Sequence, residues 1–200
     1  MTDITIGVLA LQGSFREHIQ VLRSMGVEAL EVRLPEQLRE IDGLIIPGGE
    51  STTIGKLALD FDLLDQLRAF GKEKATWGTC AGAIFLSKDA RRDQPLLELM
   101  DITVERNAYG RQIASFETDL EVLALGEISD EEPIFHGIFI RAPLIDSVSG
   151  SAEVLSSLPD GRIVAAQQGH LLATAFHPEL TEDNRFHRYF LHLVHMALQA

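Results

Sequence analysis

Cysteine is almost absent: Cys80 is the one thiol in 200 residues. An intramolecular disulfide is therefore impossible, and a structural zinc site built from several cysteines is excluded. A reducing, cytoplasmic setting is the natural expectation. No stretch reaches the ~18–20 continuous apolar residues of a membrane span. The opening Met1-Thr2-Asp3-Ile4 has neither a basic n-region nor a small-residue cleavage site, so no export signal is expected. Basic side chains are outnumbered 17 to 30, leaving a formal net charge of −13. That field repels phosphate backbones and anionic lipid, so neither nucleic acid nor a membrane surface is an expected partner. Internal repeats, low-complexity tracts and long linkers are also missing.

What is present is enough apolar material, 46% of the chain, to bury the core of one domain spanning residues 1–200. Short apolar runs alternate with amphipathic stretches, the pattern of an α/β fold: an open, mostly parallel twisted sheet with helices on both faces. Residues 4–11, 27–33, 43–46 and 75–78 read as strands, as do 162–168 and 171–176, with Gly169-His170 as the turn between the last two. A helix is expected after Ser14, whose hydroxyl would form a capping box with Glu17. Phe15, Ile19, Leu22 and Met25 continue it, and Gly26 is placed to end it. Another helix is expected over 60–70. A last one presents Phe186, Tyr189, Phe190, Leu193, Val194 and Ala197 as one apolar stripe. Residues 102–154 carry short strands and turns.

The sharpest local feature is Gly78-Thr79-Cys80-Ala81-Gly82 between a strand and a helix. It has the form of a nucleophile elbow with cysteine in the serine position. Glycines on both flanks suit a tight, strained turn that a β-carbon would obstruct. A helix start behind the sulfur favours the thiolate, and the Ala81 N–H can face a developing oxyanion. The competing reading is a small buried hydrophobe, which is what most lone cysteines are.

A thiol nucleophile needs a base. Of seven histidines, His187, His192 and His195 fall on the last helix off its apolar stripe and read as solvated. His18 and His136 have no helpful partner nearby in sequence, and His170 sits in a turn. His177 ends an apolar strand, where open α/β sheets place their sites. Glu179 follows at i+2, on the same side of an extended segment, and can orient the imidazole. An ordinary capped turn is the alternative for His-Pro-Glu.

Pro47-Gly48-Gly49-Glu50-Ser51 also leaves a buried strand, and its glycines allow backbone N–H groups close to a ligand. A phosphate-binding loop fails on spacing, because Glu50 and Leu57 stand where glycine and Ser or Thr are needed; a structural turn stays open. Arg106 and Arg141 could each grip a carboxylate, or be surface or ion-pair residues.

In this order the motifs resemble the class I, triad-type glutamine amidotransferases, and within them the glutaminase subunits of pyridoxal 5′-phosphate synthases. The segments carrying the resemblance are IGVLALQG (6–13) with Arg16-Glu17-His18, GLIIPGGESTT (43–53), GTCAG (78–82), VERNAYGRQ (104–112), SFE (115–117), FIRAP (139–143), and GRIVAAQQG (161–169) leading to FHPELTED (176–183). Residues 89–97 and 126–132 follow no motif of the family. The resemblance implies a flavodoxin-like sheet and Cys80, His177 and Glu179 as a triad. It also implies glutamine contacts from Gly49, Glu50, Ser51, Arg106, Ile140 and Arg141, and an oxyanion hole near Gly49 and Ala81. It implies no metal or organic cofactor. The expected chemistry is hydrolysis of L-glutamine through a cysteine thioester, with ammonia passed to a synthase subunit in a large hetero-oligomer. The alternative is the glutaminase subunit of another synthase, such as the one forming the imidazole ring in histidine biosynthesis. A module that keeps the fold without catalysis, and a cysteine hydrolase on a related sheet, are the rivals from other classes.

Overall fold

Buried side chains leave both faces of one central sheet, so the core forms as two layers that sandwich it. The computed structural model describes residues 4–106 and 115–199. Along the chain run β1 (Thr5–Leu9), α1 (Phe15–Ser24), β2 (Glu28–Val32), β3 (Gly43–Ile46), α2 (Ser51–Asp60), α3 (Leu64–Glu73), β4 (Ala75–Thr79), α4 (Ala81–Leu86), β5 (Ser87–Asp89) and β6 (Met100–Glu105). They continue with β7 (Ser115–Glu121), β8 (Ile134–Ile140), β9 (Leu144–Val148), β10 (Glu153–Ser157), β11 (Ile163–Gln168), β12 (Leu171–Thr174) and α5 (Arg185–Gln199).

The sheet order is β2-β1-β3-β4-β12-β11-β9-β6-β5, with β10 paired to β11. Every pair from β2 to β12 is parallel. This half has the doubly wound order that puts functional groups at the carboxyl ends of its strands. Beyond β12 the pairs to β11, β9 and β6 turn antiparallel, and β7 and β8 form a separate hairpin. The expected mostly parallel sheet is thus extended by an antiparallel half.

Alternation distributes the core. Leu44 and Ile46 of β3 face one layer with Ile54, Leu67, Phe70 and Ile84 from α2, α3 and α4. Ile45 faces the other with Ile19 and Leu22 of α1 and Phe186, Phe190 and Val194 of α5. Each such side chain stabilises by roughly 1.5–3 kcal/mol when fully buried, which exceeds the few tenths per residue separating most helix propensities. Packing therefore decides where the helices lie. Among the described residues no helix is long and apolar enough to cross a membrane.

Several expectations need correction. The helix expected over 60–70 is α3, which starts at Leu64 and runs to Glu73, and a separate helix that was not expected, α2, precedes it over Ser51–Asp60. Glu50 caps α2 by accepting the Thr53 N–H at 3.0 Å, and Asp62, at φ +55, breaks the chain direction before α3. The capping box of Ser14 and Glu17 does not form: the Ser14 side chain makes no cap bond and donates instead to Glu179 Oε1 at 2.7 Å. The first and last strands of the parallel half are shorter than expected, ending at Leu9 and Thr174. Gly26 does follow α1 at φ +76, the left-handed conformation that ends helices.

Candidate active site

The turn between β4 and α4 contains one residue, Cys80, at φ +48 and ψ −107. A non-glycine residue there costs on the order of 1–3 kcal/mol and persists only where its surroundings hold it. They do: the Cys80 N–H donates to the Thr174 carbonyl at 2.8 Å, and the Cys80 carbonyl accepts from Ala83 at 3.1 Å. The parallel pairing of β4 with β12 thereby presents the thiol at the carboxyl end of the sheet.

The same edge delivers His177 just after β12, its N–H bonded to the Ile138 carbonyl at 2.9 Å. His177 and Glu179 meet as expected, with 2.8 Å between Nδ1 and Oε1, but not through extended backbone. Pro178–Leu180 is a 3-10 turn, started by the fixed φ of Pro178 at its first position. The turn folds the carboxylate back under the ring. On the other side the Cys80 side chain interacts with His177 and helps raise its pKa. Gly48 explains why the loop after β3 can join them: a β-carbon there would lie 2.5 Å from His177 Cε1 and 3.3 Å from Cys80 Cβ.

Burial works against a charge on His177, yet its bonds to Cys80 and Glu179 and their negative charge outweigh it, raising its pKa from 6.5 to about 10. Burial likewise favours the neutral acid at Glu179, but the neighbouring His18 and His177 and the Ser14 hydroxyl lower its pKa from 4.5 to about 2. The depressed acid contributes stability that is complete above about pH 4.5 and is lost as the pH falls towards about 2. The raised base contributes stability that is complete below about pH 6.5 and is lost as the pH rises through about 10. Between pH 4.5 and 2 the Glu179→Gln protein is therefore expected to lose less stability than the parent. Urea-unfolding midpoints taken across that window would report it, and parallel curves for the two proteins would overturn it.

Cys80 and His177 open into a cleft of about 640 Å³. Gly49, Glu50, Ser51, Ala81, Arg106, Ile140 and Arg141 also line it, so the structure gathers every residue singled out from the sequence except Glu179, which lies behind His177. Cys80 Sγ is 4.0 Å from the Ile140 carbonyl oxygen. Arg141 adopts φ +45, a second strained position at the rim. Arg106 is ion-paired with Glu50. Burial tends to raise the Glu50 pKa, but bonds from Thr52 and Thr53 and the Arg106 charge bring it below the usual value. Asn107 to Gln112 of the expected motif, and Met1 to Asp3, lie outside the described residues.

Sequence reasoning missed four contributors. Gln12 lines the cleft and its Oε1 accepts the Glu50 N–H at 2.7 Å. Ser14 reads as a cap in the sequence and instead serves Glu179. His18, fully buried, lies 3.4 Å from Glu179 Oε2 through its Nε2. His187, expected in solvent, is also fully buried and meets His18 Nδ1 at 3.0 Å. A signal existed for both histidines: His18 shares a helix face with Phe15, Ile19 and Leu22, and His187 is three residues from Phe190 and seven from Val194. The other histidines are elsewhere. His136 is exposed in β8 between Asp119 and Glu117, at 2.8 and 3.0 Å; His170 reaches the Gly71 carbonyl at 3.0 Å; His192 stands 3.5 Å from Glu127. Among the described residues no cluster of three His, Cys, Asp or Glu side chains could hold a metal ion.

A family model described as the SNO glutamine amidotransferase family matches residues 8–196. The chain is 58% identical over 195 residues to the pyridoxal 5′-phosphate synthase subunit PdxT of Herpetosiphon aurantiacus, covering 95% of this chain and 100% of that one. It is 54% identical over 191 residues to the protein of that name from Moorella thermoacetica, covering 94% and 98%. A crystal structure of a glutamine amidotransferase superposes with a TM-score of 0.87 at 51% identity, covering 95% of this chain and 98% of that one. A putative GMP synthase protein from Thermoplasma acidophilum shares the fold, with a TM-score of 0.70 at 18% identity over 100% and 98% of the two chains.

Proposed function

The chain belongs to the SNO glutamine amidotransferase family, and from that premise we infer that it is the glutaminase subunit of a pyridoxal 5′-phosphate synthase. The observation that carries the chemistry is the series Cys80, His177, Glu179, with Cys80 and His177 opening into the cleft and Glu179 hydrogen-bonded to His177 from behind. A sulfur nucleophile, a base that holds its proton, and an acid that orients the base make a complete set for acyl transfer.

The Cys80 sulfur, its proton on His177, attacks the side-chain amide carbon of glutamine. The oxyanion is met by the Gly49 and Ala81 N–H groups. His177 gives its proton to the departing nitrogen, the C–N bond breaks, and ammonia leaves a γ-glutamyl thioester on Cys80. Water then attacks the thioester with His177 taking its proton, the C–S bond breaks, and glutamate departs. Glu179 stays ionised throughout and fixes the imidazole. Arg106 and Glu50 offer opposite charges suited to the α-carboxylate and α-ammonium of a free amino acid; Ser51, Ile140 and Arg141 complete the wall. No step needs a metal or organic cofactor.

Ammonia serves biosynthesis only if an acceptor receives it, so the product goes to a synthase partner, here the one that builds pyridoxal 5′-phosphate within a hetero-oligomer. The Gly48 carbonyl accepts the Ser14 N–H at 2.9 Å. Because a trans peptide is planar, that bond also sets the direction of the Gly49 N–H. Docking of the partner would reorient this peptide to complete the oxyanion hole. Glutamine hydrolysis is therefore expected to be faster with the purified synthase subunit than without it; equal rates would remove the gating. Failure of that subunit to bind, with a different synthase captured instead, would overturn the assignment to pyridoxal 5′-phosphate.

A further inference from the structure

Glu179 is buried, and its two oxygens have different surroundings. Oε1 faces His177 Nδ1 and accepts the Ser14 hydroxyl. Oε2 is buried with no hydrogen-bond partner, and the nitrogen that approaches it is His18 Nε2, at 3.4 Å. Leaving a carboxylate oxygen in a dry interior with no donor is costly. The chemistry of that oxygen therefore calls for a hydrogen on His18 Nε2.

The rest of the cluster supplies it. His18 Nδ1 and His187 Nε2 are 3.0 Å apart, so one of them carries the shared hydrogen. Burial lowers the pKa of both rings and so favours the neutral imidazole, which carries one hydrogen. If His18 carries its hydrogen on Nε2, Nδ1 must accept, and His187 must donate from Nε2. His187 Nδ1 is then a bare lone pair, and that atom has no hydrogen-bond partner in its buried position. An unpartnered acceptor there is less costly than an unpartnered N–H beside an anion left without a donor. The other groups facing His18 are consistent with this arrangement. Thr79 Oγ1 of β4 lies 3.2 Å from Nε2 and can share its hydrogen. Trp77 stands edge-on to both rings. His177 and Glu17 add opposing charges of smaller effect.

We propose that His18 is a positioning residue of the triad: its Nε2–H holds the second oxygen of Glu179, and His187 fixes the His18 tautomer in which that hydrogen is present. The inference rests on the glutaminase reading given above. Through it α1 and α5, packed on one face of the sheet, set the direction of the carboxylate that orients His177. An anchored carboxylate keeps His177 in the tautomer able to take the sulfur's proton.

The test compares glutamine turnover of the complex reconstituted with the synthase subunit. His18→Leu is expected to lower kcat by about 10–100-fold with KM changed less than about threefold, the pattern of lost transition-state positioning. Its acid limb moves to higher pH, because Glu179 loses a donor to its charged form. His18→Gln, whose amide nitrogen reaches about as far as Nε2, keeps kcat within about fivefold of the parent. A folded His18→Leu protein with parental kcat and pH profile would overturn the proposal, as would equal losses in the leucine and glutamine variants. Should the leucine variant not fold, nitrogen-15 NMR of the histidines in the parent chain decides. Neutral His18 and His187, each protonated at Nε2, support the proposal, and His18 protonated at Nδ1 overturns it. Cys80→Ala runs beside these variants. If it is as active as the parent, the glutaminase reading itself fails; the nitrogen-15 result bears on His18 in either case.

Discussion

Replacing Cys80 by alanine is expected to lower glutamine hydrolysis by the assembled complex on the order of 10⁴-fold or more, the scale on which a covalent nucleophile is missed. Without sulfur no thioester forms, and the remaining groups can only bind glutamine and polarise its amide. The fold is expected to survive. Alanine has the same β-carbon, so the strain at φ +48 is unchanged, and the bond from the residue 80 N–H to the Thr174 carbonyl is a backbone bond. Losing one buried sulfur costs about 1 kcal/mol. His177 also loses the contact that holds its pKa up most strongly after burial has lowered it, so its imidazolium should titrate at lower pH in the variant. Circular dichroism, a glutaminase assay and NMR titration of His177 test the three parts. Undiminished turnover would sink the mechanism.

The second large effect is expected on stability. A β-carbon at Gly82 would lie 2.0 Å from the Ile46 carbonyl oxygen and 2.8 Å from its carbon. Both are backbone atoms of the parallel sheet, so neither can swing aside as a side-chain tip would. Gly82→Ala must push α4 away from β3, and it should destabilise the protein by about 2–4 kcal/mol. For a chain of this length the melting temperature would fall by roughly 5–15 °C. Gly126→Ala is the control: nothing lies within 4 Å of a β-carbon there, and its effect should stay within about 0.5 kcal/mol. Equal stabilities for the two variants would show that α4 does not press on β3 as closely as described.

Both substitutions fall at the junction of β4 and α4, where sequence and tertiary structure divide the information between them. Gly-x-Cys-x-Gly after an apolar run points to an elbow with cysteine at its tip, because a β-carbon at Gly78 would meet the carbonyl of nearby Gly82 at 2.4 Å; the crowding of Gly82 itself comes from β3. His177 at the end of a strand is also legible, and so is Glu179 two residues on, although Pro178 replaces the expected extended path with a 3-10 turn. The alternation of core residues in β3 and the strand at 43–46 are also readable, since a strand's two faces follow from a period of two.

What tertiary structure alone decided is what surrounds those residues. Ser14 has the sequence of a helix cap, and only the return of the chain 165 residues later brings a stronger acceptor to its hydroxyl. A similar distance in sequence hid the pairing of His18 with His187, which are 169 residues apart. Their burial comes from α1 and α5 packing on the same face of the sheet. Local pattern specifies which groups can react, because reactivity and turn geometry are set within a few bonds. Which hydrogen sits on which ring is set by the nearest donor and acceptor in a dry interior, and the fold chooses those neighbours.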